Sequence, residues 1–217
     1  VVSIIGCGTG SIISGKVATA LGNDMEGTTI TFQANTPEYP KSILTIDDGT
    51  YEMNVLPSID YIVDASKDGD YKNGVTTLDL VLIQRHILGL SIFDDPYKEI
   101  AADANNDGKI TASDLVELRK LILGLTDKFA NASWRFPIKD QIMNAGNPFP
   151  YTEHVMATVL NPQASYDFVA VKIGDVNGNV STNISNPTVE GRSNNKVEMT
   201  IAEAAVAAGE VIEIPVT

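Results

Sequence analysis

Asp103-Ala104-Asn105-Asn106-Asp107-Gly108-Lys109-Ile110-Thr111-Ala112-Ser113-Asp114 places oxygen-bearing side chains at loop positions 1, 3, 5, 9 and 12 and a glycine at position 6. The residues that follow, to Leu125, are apolar at helical spacing and close on Gly124, where a left-handed C-cap is expected. The unit occurs twice. Laying Thr76–Leu90 over Thr111–Leu125, an offset of 35 residues, matches eight of fifteen positions, including Asp-Leu-Val and Ile-Leu-Gly-Leu in both copies. Self-similarity at a fixed spacing marks a repeated loop-helix unit.

The register is the ligand spacing of an EF-hand loop. Calcium takes six to eight oxygens at about 2.3–2.6 Å, supplied by alternate side chains and by the backbone carbonyl of position 7. In the second copy these are Asp103, Asn105, Asp107, Lys109 through its carbonyl, Thr111 and Asp114, while Ile110 at position 8 faces the core. A set of oxygens with no His or thiolate suits a hard ion rather than zinc or copper. A polar Asx-rich turn would explain one or two of these residues, but not the whole register followed at once by an amphipathic helix. In the first copy Asp68, Asp70, Gly74 through its carbonyl, Thr76 and Asp79 hold positions 1, 3, 7, 9 and 12, with Val75 at position 8. Lys72 stands at position 5 and Asn73 replaces the turn glycine. A charged Lys cannot ligate, so weaker binding is expected there unless water or a neighbour such as Asp64 fills in. Gly174-Asp175-Val176-Asn177-Gly178-Asn179 reads as the opening half of a third loop, with Asn186 where position 12 needs an acid. A turn is expected, with Asp175, Asn177 and Asn179 as candidate accessory ligands. Two calcium ions are expected in all.

Composition agrees with a metal-dependent fold. The chain has 217 residues, 43% hydrophobic and 20% charged, and a formal charge of -13; ten of its 17 aspartates lie between Asp60 and Asp114. No run of Lys and Arg suits a phosphate backbone, which argues against nucleic acid. No apolar stretch reaches the roughly 18–20 residues of a membrane-spanning helix. Cys7 is alone and is expected as a free thiol. His86 and His154 lack a second ligand at metal spacing or a nucleophile motif, so no catalytic site is expected.

The organisation expected is multi-domain and mainly β with a small α part. Residues 1–10 read as a strand from a preceding domain or linker. Residues 11–67 carry short strands (Ile12–Ala18, Thr28–Gln33, Ser42–Ile46, Tyr51–Val55, Tyr61–Ala65), the pattern of a small β-sandwich, with a hairpin at Asp47-Asp48-Gly49. The calcium-loop helix pair spans 68–126, with helices at Leu78–Leu90 and Asp114–Leu125. Residues 127–180 form a strand-containing extension packing on it, anchored by Trp134, Phe136, Phe149 and Tyr151 and including a strand at Val169–Ile173. A linker at 181–196 and strands at 197–217, from a following sandwich or donated to a neighbour, complete the chain, which reads as an excerpt of a longer polypeptide.

The paired D-x-N-x-D-G loops, each closed by Asp at position 12 and followed by a Leu-rich helix ending in Leu-Gly-Leu, resemble a type I dockerin module over about residues 64–126. The stretch Ser11–Ser66, with Ile13-Ser14-Gly15-Lys16-Val17, Asp48-Gly49-Thr50-Tyr51, Leu56-Pro57 and Tyr61-Ile62-Val63, is similar to prealbumin-like sandwiches of the collagen-adhesin B-type or carboxypeptidase regulatory-like kind. The order of these parts, with Ser133-Trp134-Arg135-Phe136 and Lys172-Ile173-Gly174-Asp175 after them, resembles a block of large secreted bacterial surface proteins, and the tail from Ala208 is similar to the opening of a cohesin-like sandwich. These resemblances imply calcium-dependent folding and a calcium-stabilised structural segment of a secreted, extracellular cell-surface, fibre or adhesin protein. The partners implied are neighbouring domains or subunits, through strand addition or dockerin-like packing. The alternative is anchoring on a cohesin domain in trans. Dockerin recognition positions 10 and 11 are Thr77 and Leu78 in one copy and Ala112 and Ser113 in the other, so the two faces are unlike. Lys16 and Asp64 also suggest the internal isopeptide of some surface sandwiches.

Overall fold

The computed structural model describes residues 10–129, 131–158 and 163–182. The expected strand Val1–Ile5, Cys7, nearly all of the linker and the strands at 197–217 lie outside the described residues. Five strands come first: β1 (Ser11–Thr19), β2 (Thr29–Ala34), β3 (Lys41–Leu44), β4 (Thr50–Val55) and β5 (Asp60–Ser66). Their inward residues alternate, as a half-buried pleat requires: Ile13 and Val17 on β1, Ile30 and Phe32 on β2, Tyr61 and Val63 on β5 are all buried. Asp47-Asp48-Gly49 forms a tight turn, with the Ile46 N–H on the Thr50 carbonyl at 3.0 Å, but not the expected hairpin: β3 pairs with β2 and β4 with β1, so the turn carries the chain from one sheet to the other.

Three helices follow: α1 (Thr77–Ile87), α2 (Pro96–Ala102) and α3 (Ala112–Ile122). α2 was not expected from the sequence. Its seven residues are too few to show a helical period, yet Asp95 caps it through the Tyr97 N–H at 2.9 Å and Pro96 takes the first turn.

The chain then returns to the sandwich through β6 (Trp134–Arg135), β7 (His154–Thr158), β8 (Gln163–Ser165) and β9 (Phe168–Lys172). One sheet runs β4-β1-β9-β6, with β8 also on β1; the other runs β3-β2-β5-β7. β7 is antiparallel to β5, and β8 and β9 are parallel to β1. These pairings cross the expected line between a sandwich at 11–67 and an extension at 127–180, because the extension extends both sheets as well as packing on the helices.

β9 explains how one strand serves both. It is buried along its whole length. Phe168 and Ala170 belong to the core between the sheets, with Ile13, Phe32, Tyr61, Trp134 and Phe136. Val169, Val171 and, just beyond, Ile173 belong to the helical core with Ile83, Ile100, Leu118 and Leu121. Alternate side chains of one strand thus bind two cores into one body.

Candidate metal centre

The segment Asp103–Asp114 links α2 to α3 and is held mainly by its own carboxylates. Asp103 accepts the N–H of Asp107 on one oxygen at 3.0 Å and that of Gly108 on the other at 2.9 Å. Asp114 accepts the Asn105 N–H at 3.1 Å and, with its second oxygen, the Thr111 N–H at 2.8 Å. The last bond is half of a capping box that starts α3. Asn105 takes the Asp107 N–H at 2.9 Å, and its amide reaches Asp107 and Ser113. The extension clasps the loop from outside: Asn131 donates to the Asn105 carbonyl at 2.6 Å, and Arg135, which is paired with Glu153, donates to Asn106 at 2.7 Å. Neither Asn131 nor Arg135 was a candidate from the sequence, since neither lies in the repeat.

The opening of the first copy is arranged differently. One Asp68 oxygen accepts the Ser133 N–H at 2.9 Å and the other the Tyr71 hydroxyl at 3.0 Å. Ser133 Oγ donates to the Gly69 carbonyl at 2.7 Å. Lys172 Nζ donates to the Asp70 carbonyl at 2.9 Å and lies over the rings of Tyr71 and Trp134. Burial lowers the Lys172 ammonium to about 8. The structure therefore brings a lysine to Asp68 and Asp70, whereas Asp79 turns to another part of the chain.

Asp79 is fully buried at the start of α1. One oxygen takes the Thr76 N–H at 2.9 Å and the Thr76 hydroxyl at 2.7 Å. The other takes the N–H groups of Val176 at 3.0 Å and Asn177 at 3.2 Å, residues 97 and 98 positions away. Asp175 beside them accepts the N–H groups of Gly178, Asn179 and Val180 at 2.8, 3.2 and 2.9 Å. Gly174 puts this half-loop in place. Its φ is +90°, its N–H reaches the Ala101 carbonyl at 2.8 Å, and a Cβ there would stand 2.6 Å from Leu118 Cδ2. Of the predicted ligands, the structure thus groups Asp103, Asn105, Asp107, Thr111 and Asp114 in one place, and Thr76, Asp79, Asp175, Asn177 and Asn179 in another.

The chemistry of both groups suits a hard cation. Asp79, Asp103, Asp114 and Asp175 are each at most 7% exposed. Among the described residues none of them forms an ion pair with Lys, Arg or His. Burial of an unpaired carboxylate favours its neutral form; it raises Asp103 and Asp175 above the usual carboxylate range, against the backbone N–H groups that pull the other way. A divalent cation would supply the missing charge. Among the described residues no three Asp, Glu, His or Cys side chains gather closely enough to hold a metal ion by themselves. The donors are carboxylates diluted with amide and hydroxyl oxygens, the mixture that calcium takes.

A family model of the dockerin type I domain matches residues 64–123. A dockerin domain is present. No curated protein matches the chain. Dockerin domains bind calcium, which supports Ca2+ as the ion here, and they dock onto cohesin partners. The dockerin is a non-catalytic module that often occurs alongside enzymes. Proteins that carry it are typically extracellular or at the cell surface, and among the described residues no helix is long and apolar enough to cross a membrane.

Other candidates resolve into packing. His86 stacks on Phe93 with centroids 4.5 Å apart, and its Nδ1 accepts the Phe93 N–H at 3.0 Å. Lys16 pairs with Asp24 at 2.7 Å and Asp64 accepts from Gln33 at 2.9 Å, so the expected isopeptide partners each have another neighbour. Asp64 pairs across β5 with His154 of β7, away from the role of substitute ligand.

Proposed function

We propose that this is a calcium-stabilised structural segment of a secreted bacterial surface or fibre protein, in which the dockerin domain is built into a prealbumin-like sandwich and stiffens it. The observation that carries this reading is β9, whose alternate side chains fill the sandwich core and the dockerin core together. In loop 2 the ion is held by Asp103, Asn105, Asp107, the Lys109 carbonyl, Thr111 and Asp114. Strand addition to neighbours belongs to the same proposal, because an open sheet edge is satisfied by pairing.

A second reading is a dockerin that binds a cohesin domain in trans. It is favoured by apolar side chains exposed on and just after the two repeated helices, with Leu78, Val81, Leu88, Val116 and Leu123 all more than 40% exposed. Size-exclusion chromatography of the full chain mixed with type I cohesins, with calcium and with chelator, separates the two. The structural reading predicts no stoichiometric complex in either buffer and a calcium-dependent resistance to protease; a one-to-one complex only with calcium overturns it.

A further inference from the structure

We propose that the chain's other calcium site is discontinuous: its first half is the segment Asp175–Val180 and its second half is Gly74–Asp79, while Asp68 and Asp70 hold no ion. The inference rests on the calcium reading above and changes which residues bind.

Loop 2 serves as the internal standard. There the carboxylate at position 1 takes the N–H groups of positions 5 and 6, and the carboxylate at position 12 takes the N–H groups of positions 3 and 9. If Asp175 is position 1, then Asn179 and Val180 are positions 5 and 6, and both donate to Asp175 in the same order, to Oδ1 and to Oδ2. Asn177 is position 3, and its N–H goes to Oδ1 of Asp79, as that of Asn105 goes to Oδ1 of Asp114. Thr76 is position 9, and its N–H goes to Oδ2 of Asp79, as that of Thr111 goes to Oδ2 of Asp114. Even the accessory bond repeats: Asn177 Oδ1 accepts from Asn179, as Asn105 Oδ1 does from Asp107. Five bonds correspond one for one, although the second loop is cut and its halves lie about a hundred residues apart.

The cut has its own fastening. Asn73 donates to the Ser181 carbonyl at 2.9 Å and accepts the Ser181 N–H at 3.1 Å. Next to it Gly74 is so close to the half-loop that a Cβ would stand 2.8 Å from Val180 Cβ and 2.9 Å from an Asp175 oxygen. The handover from position 6 to position 7 thus falls between Val180 and Gly74. The donor set is Asp175, Asn177, Asn179, the Gly74 carbonyl, Thr76 and Asp79.

Two further observations point to a ligand. Asn177 Nδ2 is buried with no hydrogen-bond partner among the described residues. Beside it Asp79 and Asp175 are buried and have no ion-pair partner among the described residues, which leaves their charge for a cation to meet. The displaced opening lacks this pattern: the Asp68 oxygens take the Ser133 N–H and the Tyr71 hydroxyl rather than the N–H groups of positions 5 and 6, and the Lys172 ammonium donates to the Asp70 carbonyl.

The test is calorimetric titration of the calcium-free full chain with calcium chloride, counting ions, on wild type, Asp175→Asn, Asn179→Ala, Asp70→Asn and, in loop 2, Asp107→Asn. Wild type is expected to bind two ions. Asp175→Asn keeps an acceptor for the backbone N–H groups but loses the charge, so one ion is lost or weakened by about tenfold or more. Asn179 is exposed, so its replacement leaves the fold intact, checked by circular dichroism, and weakens the same ion. Asp70→Asn behaves as wild type. If Asp70→Asn removes an ion, or Asp175→Asn and Asn179→Ala are both silent, the discontinuous site is overturned while a loss in Asp107→Asn keeps the calcium reading. If Asp107→Asn is also silent, or wild type binds nothing, the calcium reading itself falls and takes this inference with it.

Discussion

Asp114 and Asp79 stand at the same place in two repeated helices and make the same capping bonds to Thr111 and Thr76. They differ in what meets their free oxygen. Asp114 receives Asn105 from nine residues upstream in one continuous loop, whereas Asp79 receives Val176 and Asn177 from 97 and 98 residues downstream. A continuous loop forms from local contacts and serves its helix alone. A loop assembled from two distant segments ties the end of the chain's β9 to the start of α1, so one ion would lock sandwich and dockerin together. Duplication of sequence has therefore kept the helix caps equivalent while letting the loop entries diverge.

The largest effect expected is from removing the ion. At free calcium near 100 times the dissociation constant each site adds about 2.7 kcal/mol, so chelation should lower the melting temperature by roughly 5–10 °C per site for a chain of this size. A melting curve unchanged by chelator would break the comparison at its root. Asp79→Ala and Asp114→Ala should each cost about 2–4 kcal/mol in denaturant titration, since each strands buried N–H groups. They are told apart by hydrogen exchange: Asp79→Ala should expose the amides of Val176 and Asn177, and Asp114→Ala should not.

Glycines give a finer contrast. Gly74→Ala meets Val180 and Asp175 at under 3 Å with φ at +77°, while Gly69, at φ +99°, has nothing within 4 Å of its added Cβ. The first substitution should destabilise by roughly 2–3 kcal/mol and the second by about 1 kcal/mol, the strain of a positive φ alone. Equal costs would mean that Val180 does not pack on Gly74. Smallest is Asn131→Ala, which removes one bond to the loop 2 carbonyl of Asn105; about 0.5 kcal/mol is expected, with calcium affinity reduced at loop 2 only.

Local patterns carried the sequence reading a long way. The alternation of Ile13, Val17, Ile30, Phe32, Tyr61 and Val63 marks β1, β2 and β5, and the repeat marks α1 and α3; Thr76, Asp79, Thr111 and Asp114 read only as ligand positions, and their capping boxes emerge from the fold. β7 and β8 escaped because they are short strands at sheet margins, where Met156 can be exposed and still belong to a strand. The entry to α1 escaped for another reason. A repeat aligned in register assigns Asp68 and Asp70 to Asp79 by spacing, and Asp175-x-Asn177-x-Asn179 looks like a loop without an ending. Each half lacked what the other had, and only the fold, which sets β9 beside β1 with one face on the helical core, shows that they meet. Lys72 and Asn73, which looked like losses, fit this arrangement: position 5 is supplied by Asn179, and Asn73 holds Ser181.

The most direct measurement is an anomalous-difference map from crystals of the full chain grown with calcium. Two peaks are expected with oxygens at about 2.3–2.6 Å, one inside Asp103–Asp114 and one between Asp175 and Asp79. A peak between Asp68 and Asp70, or none beside Asp175, would contradict this arrangement.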